Sequence, residues 1–141
     1  MSNGSNERQI APMRKSEIYD TLLQKVSEVC EVNKSMIING SRLKSVVDAR
    51  VLAVQYLVRI GLSYDDIALI TLRRIAGNPD YFPSLSEIKK KARSVQTMFC
   101  AYSSHCMQSY AFCLMSKEIK EFCISEYKTL YLAGMKGVPM D

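Results

Sequence analysis

The side chains best placed to do chemistry in this sequence are cations. Between Arg42 and Arg93 stand ten Lys and Arg residues against five acids, Asp48, Asp65, Asp66, Asp80 and Glu87. Residues 1–41 balance at five of each sign and residues 94–141 at four of each, so the whole net charge of +5 resides in the middle of the chain. A local excess of this kind attracts polyanions, because each Lys or Arg brought to a phosphate releases condensed counterions, a term that needs no base readout. A solvated helix face is the competing explanation, and the run Lys89-Lys90-Lys91 fits it equally well. Arg42 and Lys44 are placed more pointedly. They sit just ahead of a helical pattern, where unpaired amides and the positive dipole end add to their own charge and suit a phosphate.

Other chemistries find less support. The five cysteines, Cys30, Cys100, Cys106, Cys113 and Cys123, form no Cys-x-x-Cys pair and fall in apolar helical stretches, which reads as buried thiols in a reduced, cytoplasmic protein. His105-Cys106 raises zinc, but Cys106 and Cys113 are seven residues apart and are expected to share one helical face with Phe99, unlike the close pairs of structural zinc sites. No metal is expected. The single histidine, the scattered carboxylates and the absence of a nucleophile motif or a Gly-x-x-x-x-Gly-Lys phosphate loop give no catalytic set and no cofactor, so no enzyme is expected. Residues 94–116 carry no charge over 23 positions, but Gln96, Thr97, Ser103, Ser104, His105, Gln108 and Ser109 interrupt them, so a buried or interface helix is expected and no membrane contact.

The elements that must position these groups are all helical. Ile18, Leu22, Val26 and Val29 lie at spacings of three and four behind Ser16, which is expected to cap the first helix. Asn33 caps a short second one. A third runs from about Ser45 to Ile60, with Val46, Ala49, Ala53, Tyr56, Leu57 and Ile60 inward and Gly61 just past its end. Ser63 and Asp66 form a capping box for a fourth that buries Ile67, Ala68, Ile70 and Leu72 and stops at Gly77-Asn78-Pro79. Ser84 and Glu87 form a second box, and the helix behind it is expected to reach about Met115. A last helix, about Ser116 to Leu132, turns Ile119, Phe122, Cys123, Tyr127 and Leu130 inward. No strand-length alternation appears.

The stretch VCEVNKSMIINGSRLKSVVDARVLAVQYLVRIGLSYDDIALI resembles the C-terminal DNA-binding domain of the bacterial replication initiator DnaA, over about residues 26–70. In that family a short helix and a Gly lead into a basic loop, then Val-Val-Asp-Ala-Arg, here residues 46–50, opens a long amphipathic helix, and a turn with Ser and Leu opens a helix-turn-helix. The resemblance implies a Trp-repressor-like fold. It also implies that Arg42, Lys44 and Arg50 contact the DNA backbone and minor groove; Arg50 has a structural alternative, an ion pair with Asp48 or Asp65.

The resemblance stops at the next element. Where the family has a Gly-Gly-Arg turn and then Asp-His-Thr-Thr-Val, which begins the recognition helix, this chain has Leu72-Arg73-Arg74-Ile75-Ala76-Gly77-Asn78-Pro79. Gly, Asn and Pro oppose a helix start there, so an insertion is inferred and the recognition helix is displaced to Ser84. Its exposed face then carries Lys89, Lys90 and Arg93, which suit phosphates or guanine edges. Ser84 and Ser86 in its first turn, with Arg73 and Arg74 behind it, complete the candidate contacts. Without the Asp-His pair, origin-box specificity does not carry over.

These readings combine into an all-α protein: a tail over 1–13, an initiator-type helix-turn-helix core over 14–98, a C-terminal helical extension over 99–133 that packs on the core or forms a homodimer contact, and a tail over 134–141. The expected partner is double-stranded DNA, and the expected role is that of a transcriptional regulator or replication accessory factor of a bacterium or mobile element. The alternative is a helical protein-interaction module that keeps the fold without the DNA. A single face gathering Arg42, Lys44, Arg73, Arg74, Lys89 and Lys90 favours the first, and dispersal beside an exposed apolar groove favours the second.

Overall fold

In a computed structural model, described here over residues 14–126, every regular element is an α-helix. The six are α1 (Lys15–Cys30), α2 (Lys34–Asn39), α3 (Lys44–Ile60), α4 (Tyr64–Ala76), α5 (Leu85–Gln108) and α6 (Tyr110–Glu126). The two expected tails, and Tyr127 and Leu130 of the last helix, lie outside the described residues.

The capping chemistry sets most of the boundaries. Asn33 Oδ1 accepts from the Ser35 amide at 2.8 Å at the head of α2. Ser63 and Asp66 bond each other's amides, both at 3.0 Å, ahead of α4. Ser84 and Glu87 do the same ahead of α5, at 3.1 and 2.9 Å. Gly77 ends α4 with φ near +67°, a left-handed conformation that costs glycine little, and the Asn78 amide reaches back to the Arg73 carbonyl at 3.2 Å. The first start differs from expectation by two residues: Arg14, not Ser16, is the N-cap. Helix α1 begins at Lys15 instead of behind Ser16, because the Glu17 carboxylate accepts from the Arg14 amide at 3.0 Å and stabilises the earlier turn.

Helix α3 is the axis around which the others pack. Val46, Ala49, Ala53, Tyr56, Leu57 and Ile60 face inward as the period requires, but Val51, Leu52, Val54 and Gln55 are buried as well. A helix buried nearly all round needs neighbours on every side. Helices α1, α5 and α6 supply most of them, with α2 and α4 closing the remainder. Ile18, Leu22 and Val26 of α1, Ile67 and Ile70 of α4, Val95 of α5, and Phe112, Ile119 and Cys123 of α6 join α3 in one apolar cluster.

The expected single helix through residue 115 is broken. Ser109 adopts an extended conformation (φ −145°, ψ 124°), and its hydroxyl accepts from the Phe112 amide at 3.1 Å. The serine ends α5 and caps α6, so the chain reverses. Cys106 and Cys113 consequently meet across a turn between two helices instead of sharing a face of one: their Sγ atoms are 3.1 Å apart, and the Cys113 thiol donates to the Cys106 carbonyl at 2.8 Å. The reversal carries Ser116 to a chain of three hydroxyls in which its Oγ contacts both Tyr102 and, at 2.9 Å, Tyr56. The boundary expected at residue 98 falls inside α5, which runs through it without interruption. Among the described residues no helix is long and apolar enough to cross a membrane.

One contact ties α1 to α4 and makes acid stability testable. Lys15 Nζ, drawn largely out of solvent, lies 2.9 Å from Asp66 Oδ2, which also accepts from the Ser63 amide. Burial pushes the Asp66 carboxyl upward, but the Ser63 bonds and the Lys15 ammonium outweigh it and hold the group below its ordinary value. A depressed carboxyl stabilises the fold at pH above the unfolded value of about 4, and that contribution disappears as pH falls through the folded value. Urea midpoints measured downward from about pH 5 should therefore fall less steeply for Asp66→Asn than for the wild type. Parallel acid limbs would show that Asp66 does not carry the effect.

Candidate nucleic-acid interface

The cations picked out by sequence divide according to what the fold gives them. Arg74 is committed to α1: its Nε and Nη2 grip the two oxygens of Asp20 at 2.8 and 2.7 Å. This bidentate pair raises its pKa further above the ordinary arginine value. Arg73 is turned to the α4–α5 connection, where Nε donates to the Tyr81 carbonyl at 2.9 Å and the guanidinium lies 5.3 Å from the Phe82 ring centroid. Lys89 reaches back to Asp65 at 2.8 Å, and Lys44 to Asp48 at 3.2 Å, one turn along its own helix. Both pairs are largely exposed on the lysine side, so each holds its cation only weakly.

Arg50 is half-buried and has no acid for a partner. Its Nε donates to the Ile37 carbonyl at 2.7 Å, and Nη2 donates to the Met36 and Ser41 carbonyls at 3.0 and 2.9 Å. Those oxygens lie in the last turns of α2 and in the loop that follows, where the Gly40 and Ser41 amides already reach the Met36 carbonyl, so Arg50 reinforces the end of α2 from the side and fixes the loop bearing Arg42. Asp48 and Asp65, the expected alternatives, pair elsewhere. Arg50 is therefore a positioning residue. The Ser84 hydroxyl is likewise taken by its cap, whereas Ser86 is exposed in the first turn of α5.

What remains is a smaller set. Arg42, Lys90 and Arg93 are exposed and have no ionic or hydrogen-bonding partner among the described residues. Lys91 adds a fourth cation that the sequence reading passed over. It lies at the edge of the buried arc of α5, beside Ala92 and Val95, and turns toward the α2–α3 loop, so that Arg42, Arg50, Lys91 and Ser94 share one depression. A helical projection of Ile88, Ala92 and Val95 is the signal that separates Lys91 from its two neighbours. Burial lowers the pKa of both Lys91 and Arg50, and the neighbouring cation lowers each further, Arg50 acting on Lys91 and Arg42 on Arg50. The fold has pushed like charges together.

The aromatic and sulfur groups of residues 99–113 do not extend this face. Phe112 is buried, Tyr102 half-buried, and Met107 at the end of α5 and Tyr110 at the start of α6 are exposed. His105 Nε2 lies 3.4 Å from Asp48, its Nδ1 lies 3.1 Å from the Ala101 carbonyl, and its ring packs on Phe112. Burial raises the thiol of Cys30 to about 11 and that of Cys123 to about 12, which keeps both protonated and unreactive near neutrality. No three metal-ligating side chains converge among the described residues.

The class these observations define is an all-α protein of six described helices with a cationic edge formed by the α2–α3 loop and α5. No family model, curated protein or solved structure matches the chain.

Proposed function

We propose that this protein binds duplex DNA without catalysis, as a cytoplasmic regulator of transcription or accessory factor of replication, using an initiator-type helix-turn-helix core in which α4 supports and α5 approaches the groove. The observation that carries the reading is the distribution of unpaired charge. Asp20 and Asp66 hold Arg74 and Lys15 away from this edge, Asp48 and Asp65 pair only weakly with Lys44 and Lys89 on it, and Arg42, Lys90, Lys91 and Arg93, without side-chain partners among the described residues, lie together on the loop before α3 and the first three turns of α5. Phosphate contacts of this kind position a protein on DNA and dominate its affinity, while Lys90 and Arg93 are long enough to reach base edges. The connection from α4 to α5 spans residues 77–84, longer than the three- or four-residue turn usual in this motif, so a standard mode of base reading is not implied.

The test is binding of the full chain to random-sequence duplexes at two salt concentrations. Affinity should fall steeply with salt, and replacing Arg42, Lys90 and Arg93 together by Ala should weaken binding uniformly and reduce the log-log salt slope by about 3. Salt-independent binding, or none at low salt, rejects the proposal.

One observation favours the second reading, a helical protein-interaction module. Phe82 and Leu85 are 82% and 70% exposed at the head of α5, beside the cationic edge. Neighbouring large apolar side chains at such exposure suit a protein surface better than a phosphate backbone. Absence of DNA binding at low salt would transfer the function to this patch.

A further inference from the structure

The depression that collects Arg42, Arg50 and Lys91 is also the mouth of a cavity of about 350 Å³. Its floor is apolar and buried, formed by Leu23 of α1, Val54 and Leu57 of α3, and Ile67 of α4. The polar atoms on that floor satisfy each other: Tyr19 and Thr71 share a hydrogen bond of 2.7 Å between their hydroxyls. Burial pushes the Tyr19 phenol up to about 12, so it stays neutral. The interior therefore offers contact area without an open hydrogen-bonding demand, which suits an apolar body. The mouth is the opposite. Arg42 and Lys91 stand there with no partner among the described residues, Arg50 adds its field from behind while bonded to carbonyls, and no carboxylate lines any part of the cavity. Arg42 makes the Arg50 charge harder to hold and Arg50 that of Lys91, and an anion placed among them relieves both.

We infer that this cavity is a binding site for a small amphipathic anion, with a carboxylate or phosphate head held by Arg42 and Lys91 and an apolar body against Leu23, Val54, Leu57 and Ile67. At roughly 30 Å³ per non-hydrogen atom the space takes a molecule of about twelve such atoms. The site is complete within one chain and does not depend on whether the chain binds DNA.

Titration calorimetry of the full chain with octanoate, octyl phosphate and octanol tests it, because the three share a tail and differ in the head. Both anions should bind saturably at one per chain, and octanol about tenfold or more weaker, since the charge-assisted bonds are lost. The tighter of the two anions identifies the head the site was built for. Replacing Arg42 and Lys91 together by Ala should bring both anions to the affinity of octanol. Ala53→Leu, which fills the floor with an apolar side chain, should weaken all three. If that variant does not fold, the double Ala variant decides alone. Absence of saturable anion binding, equal affinity for octanoate and octanol, or anion affinity unchanged by the double Ala variant overturns the inference.

Discussion

Replacing Phe112 by Ala is expected to destabilise the protein by about 3–5 kcal/mol, the usual cost of emptying a buried aromatic site, and to lower the melting temperature by about 10–20 °C for a chain of this size. The ring is 1% exposed, and it packs against Tyr102 and His105 with centroid separations of 5.8 and 5.6 Å. Truncation to Ala leaves a void between α5 and α6 and removes two aromatic contacts together. The surrounding helices have little freedom to collapse, because Ser116 is bonded to Tyr56 of α3 and Tyr102 of α5. Thermal and urea unfolding followed by circular dichroism gives the value. A loss below about 1 kcal/mol would show that the α5–α6 reversal is a loosely attached appendage. The same reasoning makes truncation after Met98 more damaging still. It cuts α5, removes Phe112, Ile119 and Cys123 from the common core and uncovers α3, so the shortened chain should aggregate or unfold.

Arg50→Ala is expected to cost about 2–4 kcal/mol, because three charge-assisted hydrogen bonds disappear at once in a partly buried setting, and the Met36 carbonyl alone keeps donors, the Gly40 and Ser41 amides. Lysine should restore only part of the loss. A single ammonium on a flexible stem cannot reproduce two nitrogens directed at three oxygens from a rigid plane. The contrast lies a few residues away: Arg42 and Lys44 replaced together by Ala should leave stability within about 0.5 kcal/mol of wild type, since one has no partner among the described residues and the other only an exposed pair. Urea midpoints for the three variants, compared at a common slope, test both halves. Equal losses at 50 and 42 would remove the distinction between a positioning arginine and a presented one.

Local chemistry in the sequence carried most of the fold. Asn33, Gly61, Ser63 with Asp66, Gly77 and Ser84 with Glu87 mark helix ends through bonds made within a few residues, and such signals survive reading in one dimension. The inward faces of α1 and α3 were legible for the same reason, since a period of 3.6 needs no knowledge of the partner helix; in α4, Ile67, Ala68 and Ile70 are inward as expected, but Thr71 is buried and Leu72 only half-buried. Ser109 was not legible. Tyr110, Phe112 and Cys113 continue an apolar pattern straight across it, and the advantage of turning there comes from packing against α3 and α1, not from the turn itself. The candidate site was half legible. Sequence could locate the positive segment, but the acids that cancel part of it lie far away, Asp20 being 54 residues from Arg74 and Asp65 being 24 from Lys89. Helical projection could set Lys91 apart from Lys89 and Lys90, but the cavity it faces is likewise a property of the assembled helices.

The five letters Val-Val-Asp-Ala-Arg carry a structural meaning beside the one they suggest by likeness. Val46 and Ala49 are core, Asp48 holds Lys44 and approaches His105, and Arg50 seals the end of α2; the partly buried Val47 lines the cavity wall. Every position is accounted for by architecture. Selection for a folded chain alone would keep this pentapeptide in a lineage that had given up nucleic acid entirely, whereas Lys90 and Arg93, which line no part of the cavity, would be free to drift in such a lineage. Inheritance at those two surface positions, not at the motif, is where a history of DNA binding would be written.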